Sequence, residues 1–256
     1  MDGIWSCKVT KTHTHDELGL KLFDRFATLF RMNFLSHAIP YFDKPLLAIS
    51  TGIPDWLSVI DRKIRARRKL AEQFSDSEDD EMSQVANGII RHIEDDRWFH
   101  GTEAFVDTNM HLAVQLRDLL PDDAGFRPTF VGHILIELLL DAYWIRDDKS
   151  TADRYYAMLA DVSSETVQRC VNQITGKPTK EIVGTIQRFI EMRFLYDYLD
   201  FDRLFMRLNQ VLQRVGLQAM PDSVVDWLPK ANELVESRRL RLLTPPDGSR
   251  PFPTLG

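Results

Sequence analysis

The chain has 256 residues, 44% hydrophobic and 27% charged, with a formal net charge of -6. That length and apolar share suffice for one substantial core and exclude a collagenous, low-complexity or disulfide-rich protein. The mildly acidic balance offers no general attraction for nucleic acid. The two cysteines, Cys7 and Cys170, form neither a CxxC pair nor a ligand cluster, which fits a reducing compartment. The opening MDGIWSCKVTKTHTHDELGL lacks the apolar stretch of a secretory signal. No apolar run approaches the roughly 18–20 residues of a bilayer span. The expectation is a cytoplasmic protein with no membrane span.

Apolar positions recur at three- and four-residue spacing in most long segments, while strand alternation and Asn-Gly hairpins are absent. The expected fold class is therefore all-α. In chain order the periodicity predicts helices over 16–31, 57–73, 83–100, 104–119 and 128–147, then 151–160, 163–173, 179–196, 200–215 and 222–240. Ser163-Ser164, Pro178-Thr179 and Pro221-Asp222 mark helix starts, with Asp222 a candidate N-cap, and Gly176 and Gly216 stand where helices should end. FSDSEDDEM at 74–82 reads as an acidic solvated loop and PDDAGFRP at 121–128 as an interhelical turn. TPPDGSRPFPTLG at 244–256 reads as an irregular tail. Neither a repeat nor a linker divides the chain. One helical domain over 32–240 is expected, with an N-terminal extension at 1–31 and an irregular tail at 241–256.

Candidate chemistry concentrates in GIIRHIEDDRWFH at 88–100. At about 100° per residue, His92, Asp96 and His100 fall on the face defined by Ile89 and Ile93, with Arg91, Glu94, Asp95 and Trp98 on the other side. An unpaired carboxylate on a buried face costs several kcal/mol, so that face requires a partner, a cation or water. FVGHILIELLLDAYW at 130–144 is apolar almost all round and carries His133 and Glu137 at i and i+4. That spacing suits either a shared divalent ion or a structural His–Glu hydrogen bond. Asp141 continues the series but drifts off the face, a weaker candidate. His37 in MNFLSHAIPYF and Asp55 in STGIPDWLSVIDRK stand in loop or helix-start contexts rich in Gly and Pro. Together these positions form the ligand inventory of a helical metallohydrolase, and imidazole plus carboxylate suits Mn, Fe, Ni or Zn better than Mg or Ca.

MNFLSH at 32–37, the glycine segment ending in Asp55, GIIRHIEDDRWFH and YLDFDRLFMRLNQVLQR at 198–214 together resemble the acyl carrier protein phosphodiesterases. Those all-helical enzymes, related in metal site to the HD-domain phosphohydrolases, cleave the phosphodiester joining 4'-phosphopantetheine to the carrier protein, typically with manganese. The resemblance implies an HD-like domain and phosphodiester hydrolysis. This chain departs from it at His100, where the family is acidic, and at Glu137-Leu138, where the family has Asp-His. GIPD also resembles the Pro-Asp of helical zinc-dependent phospholipase C-like proteins.

On this reading His37, Asp55, His92, Asp96 and His133 hold one divalent ion. Asp96 or Glu137 orients water, and His100 protonates the leaving alkoxide. DRKIRARRK at 61–69, carrying Arg62, Lys63, Arg65, Arg67 and Arg68, is expected as a basic helix that steers an acidic carrier protein or meets substrate phosphates, or else as a solvated face balanced by the acidic loop. The expected partner is thus an acidic carrier protein or another phosphodiester, nucleotide or lipid. A non-catalytic helical binding protein is the alternative from another class. Tyr41, Trp56, Trp98 and Trp144 read as core residues, and His13, His15 and His111 as surface histidines.

Overall fold

The computed structural model describes residues 33–120, 127–245 and 247. The helix expected over 16–31, together with Cys7, His13 and His15, lies outside them. In chain order come α1 (Phe34–Ala38), a 3-10 turn at Ile39–Tyr41, α2 (Pro45–Ser50), α3 (Ile53–Ile60), α4 (Arg68–Ala71), α5 (Asp80–Gly101) and α6 (Glu103–Leu119). Then follow α7 (Pro128–Asp147), α8 (Ser150–Asp161), α9 (Ser164–Thr175), α10 (Glu181–Met192) and a 3-10 segment at Phe194–Leu199. The chain continues through α11 (Phe201–Arg214), a 3-10 segment at Asp222–Trp227 and α12 (Leu228–Leu242). There is no strand among the described residues, as the all-α expectation required.

Helix α7 is central because its sequence allows no solvated face. Every residue from Val131 to Ile145 except His133 is buried, each large aliphatic contributing about 2 kcal/mol by leaving water. Helices α1, α6, α8, α11 and α12 all pack on it. By length and composition α7 could cross a membrane, contrary to the expectation that no run approaches that length, yet 78% of its most apolar window is buried inside the fold.

Helix α5 packs chiefly on α2 and starts three residues before the expected 83, because Asp79 accepts from the Met82 amide at 3.2 Å and caps it. The acidic run therefore begins a helix, and its Asp79 and Glu81 pair with Arg169 at 3.1 and 2.7 Å. Two glycines set the helix spacing. A Cβ on Gly88 of α5 would stand 2.5 Å from the Ser50 Cβ and 2.7 Å from the Leu47 carbonyl oxygen of α2. One on Gly132 of α7 would meet Asn109 Oδ1 of α6 at 2.5 Å. Each glycine precedes a site histidine, His92 by one turn and His133 by one residue.

Three expected helices are divided. The helix over 57–73 breaks at Asp61, and 61–67 is irregular. There the alternation of buried Ile64 and Ala66 with exposed Lys63, Arg65 and Arg67 has a period of two, which suits extended chain and not a helix. The 179–196 helix ends at Met192, where Arg193 turns to φ 42° before the 3-10 segment. In 222–240, Pro221 precedes a 3-10 segment and the α-helix waits until Leu228, with Pro229 in its first turn. Asp222 is thus not the cap of an α-helix. Gly176 and Gly216 do end their helices, at φ 62° and 81°. Helix α12 passes the expected boundary at 240 and ends at Leu242. Buried apolar side chains from these elements form one continuous core.

Candidate metal centre

His37 lies in the last turn of α1, a five-residue helix too short to hold itself in water. Helix α7 holds it instead. Asp141 accepts from the Leu35 amide at 3.0 Å through Oδ2, and from the Ser36 amide and hydroxyl, both at 2.9 Å, through Oδ1. The Trp144 indole donates to the same hydroxyl at 3.0 Å. Burial pushes the Asp141 carboxyl up to about 7 against the pull of these donors. The weaker ligand candidate on α7 is therefore the cap that aims His37.

Nitrogen and oxygen atoms of His37, His92 and Asp96 all lie within 4.8 Å of one another. His37 Nε2 stands 3.5 Å from Asp96 Oδ1, and His92 Nε2 stands 3.4 Å from Asp96 Oδ2. Hydrogen bonds to carboxylates are usually about 2.7–3.2 Å. Two ligands about 2.1 Å from one ion are about 3.0 Å apart at a right angle and about 3.4 Å apart at a tetrahedral angle. The observed spacings match edges of a coordination shell. His37 Nε2 is buried and has no hydrogen-bond partner among the described residues. Asp55, in the first turn of α3, is buried with Oδ1 3.9 Å from His92 Nε2.

Among the described residues, neither Asp55 nor Asp96 forms an ion pair with a lysine or arginine. Burial raises the Asp55 carboxyl to about 7, with His92 working against the rise. In Asp96 burial also disfavours charge, but the His92 and His37 imidazoles override it and hold the carboxyl far below its ordinary range. Burial likewise opposes charge on His37, and the Asp95 and Asp96 carboxylates prevail, raising it well above the ordinary imidazole value. A buried and a partly buried carboxylate answered by imidazoles alone are the chemistry of a cation site.

Asp95 was expected on the far side of α5. Its Oδ2 instead accepts from His37 Nδ1 at 3.2 Å. At about 60° from His92 on the helical wheel it borders the buried face, and α1 reaches across to it. This contact orients the His37 ring with Nε2 towards Asp96, as carboxylates behind metal-bound histidines do.

A cavity of about 530 Å³ opens on this centre, with Asp55, His92 and Asp96 on one wall and Arg62, Arg65 and Arg214 around the rest. Of the five basic residues expected to meet substrate, Arg62 and Arg65 line it. Lys63, Arg67 and Arg68 do not, and Arg68 pairs with Glu72 at 2.6 Å and Glu94 at 2.9 Å. Arg214, the last residue of α11, ends the 198–214 segment that carries part of the resemblance, but nothing in the sequence marked it for a site role. Its Nη2 donates to Ser58 Oγ at 3.3 Å, and its carbonyl accepts from Arg62 at 2.7 Å.

The five expected ligands do not converge as one set. His133 stands with His100 and Glu137 in a second group whose donor atoms lie within 4.8 Å of one another. Glu137 Oε1 is 2.8 Å from His100 Nε2 and 3.0 Å from His133 Nε2. Burial disfavours charge on Glu137, yet the neighbouring His133 and His100 hold its carboxyl below the ordinary range. Trp56 and Trp144 are buried core residues, and His111 is an exposed helix-face histidine beside Asp107.

No protein-family model, curated protein or solved structure matches this chain. The functional reading therefore rests on this geometry and on the motifs within it.

Proposed function

We propose that this protein is a divalent-metal-dependent phosphodiester hydrolase whose ion is held by His37, His92 and Asp96, with Asp55 beside them. The observation that carries the reading is the cavity that joins Asp55, His92 and Asp96 to Arg62, Arg65 and Arg214, with His37 Nε2 3.5 Å from Asp96 Oδ1. A bound ion supplies Lewis-acid neutralisation of phosphoryl charge and acidifies water at neutral pH. Manganese is the first choice, with Fe, Ni or Zn served by the same donors. The arginines bind and orient the phosphoryl oxygens through charge-assisted hydrogen bonds. Asp96, the carboxylate within 3.5 Å of both imidazoles, orients the attacking water. The Nε2 of His100 is turned to Glu137, so proton delivery to the leaving alkoxide is not assigned to it.

MNFLSH, the Gly-to-Asp55 segment and the HxxxD of α5 supply His37, Asp55, His92 and Asp96. The motifs resembling the carrier protein phosphodiesterases are thus the residues that line the centre. That coincidence supports holo-acyl carrier protein as the substrate, its acidic surface drawn by the arginines at the mouth.

The test is metal analysis of untagged protein, followed by incubation with holo-acyl carrier protein and mass spectrometry. Loss of the phosphopantetheine mass is expected. Cleavage of bis(p-nitrophenyl) phosphate without that loss transfers the reading to a nucleotide or lipid phosphodiester. Less than about a tenth of an equivalent of metal after soaking in Mn(II) overturns it.

A further inference from the structure

Glu137 lies on the largely buried helix α7, and its side chain is 1% exposed. Among the described residues neither lysine nor arginine pairs with it. Its Oε1 meets two imidazole nitrogens at 2.8 and 3.0 Å, and its Oε2 is buried with no hydrogen-bond partner among the described residues. A buried carboxylate held by hydrogen bonds alone ordinarily spreads its donors over both oxygens, because a bare oxygen retains its full desolvation cost. Here both imidazoles crowd one oxygen, with ring centroids 4.4 Å apart. Convergence on a point explains this arrangement better than satisfaction of a carboxylate does.

Donor spacings of 2.8 and 3.0 Å are of ordinary hydrogen-bond length and are equally those of right-angle edges about an ion roughly 2.1 Å away. The rings are positioned from outside the group. Phe105 of α6 packs 4.9 Å from the His100 ring and 5.0 Å from that of His133. Both imidazoles remain partly exposed, at 26% and 31%, which leaves an ion a path from solvent.

We infer that His100, His133 and Glu137 form a second divalent-cation site beside the His37–His92–Asp96 centre, taking an ion of the Mn, Fe or Zn class through two imidazoles and one carboxylate. Asp96 and His100 are one turn apart on α5, about 6 Å along its axis, so the two sites share a wall. The inference deepens the proposed function, whose first centre it adjoins, but its donors are separate residues.

Equilibrium dialysis against Mn(II) alone, with metal counted by mass spectrometry, tests the two sites independently. About two equivalents are expected in the wild-type chain and about one in each of Glu137→Gln, His133→Ala and His92→Ala. Circular dichroism reports folding, and His133→Ala, a truncation at a partly exposed position, decides if Glu137→Gln fails to fold. One equivalent that survives both Glu137→Gln and His133→Ala but is lost in His92→Ala overturns the second site and leaves the first standing. One equivalent lost in Glu137→Gln and kept in His92→Ala supports the second site and removes the first. No binding in the wild-type chain overturns both.

Discussion

Asp95 Oδ2 accepts a hydrogen bond from His37 Nδ1 at 3.2 Å, across two helices and 58 residues of sequence. The bond presents the other ring nitrogen to Asp96. Carboxylates in this position typically contribute ten- to hundredfold in metal affinity. Asp95→Ala is expected to weaken Mn(II) binding at the first centre by about tenfold or more, with unchanged helical circular dichroism. Titration calorimetry giving wild-type affinity would remove Asp95 from the site.

Asp141 ties α1 to α7 through the amides of Leu35 and Ser36. Asp141→Ala strands two buried amides and a hydroxyl, each costing about 1–3 kcal/mol. Relief of the buried carboxylate's own desolvation offsets part of this, so a net loss of about 3 kcal/mol is expected in urea denaturation. A loss below about 1 kcal/mol would mean that α1 is held by its apolar contacts alone.

The pH dependence of stability follows from Asp55 and from Asp141, which burial raises to about 7 as well; of the two, Asp55 adjoins the metal centre. Its folded carboxyl is pushed up to about 7, whereas the unfolded value is about 3.9. The neutral form is favoured by folding, so this contribution is full below pH 4 and lost as pH rises through about 7. His37, raised above the imidazole value, acts in the same direction. Asp96, held low, acts oppositely, and its contribution is lost only as pH falls into the acid range. Metal-free protein should therefore melt higher at pH 5.5 than at pH 8 by differential scanning fluorimetry, with Mn(II) reversing the order. Binding needs the ionised carboxylates and should tighten across the same interval. Metal affinity independent of pH from 5.5 to 8 would exclude Asp55 as a participant.

Gly88 meets α2 so closely that an added Cβ would lie 2.7 Å from the Leu47 carbonyl oxygen, a backbone atom that cannot swing away. Gly88→Ala is expected to cost about 2 kcal/mol through overpacking, despite the better helix propensity of alanine. It should also weaken Mn(II) binding, because His92 moves with α5. Stabilisation by the substitution would show that the approach of α2 and α5 is loose.

Arg214 brings a cation to the cavity from the far end of the chain. Arg214→Ala should lower kcat/KM for a phosphodiester about tenfold or more, the loss of one charge-assisted contact, while Mn(II) stoichiometry stays the same. Unaltered kinetics would place the phosphoryl group elsewhere.

The sequence alone determined the all-helical class, the buried character of 128–147, and the pairing of His92 with Asp96 and of His133 with Glu137. Each of these follows from a period of 3.6 residues within one segment, which needs no knowledge of what packs against it. Where local periodicity was read too broadly it failed, as at 61–67, where the arginines flank a buried alternation. Only the tertiary structure decided that the donors form two groups, that Asp141 caps α1, that Asp95 supports His37 and that Arg214 completes the cavity. Those facts depend on contacts between residues distant in sequence, Asp141 with Leu35 and Ser36, Asp95 with His37 and Arg214 with Ser58. A helical wheel gives an angle about one axis. Which donors share an ion depends on distances between axes, and packing sets those.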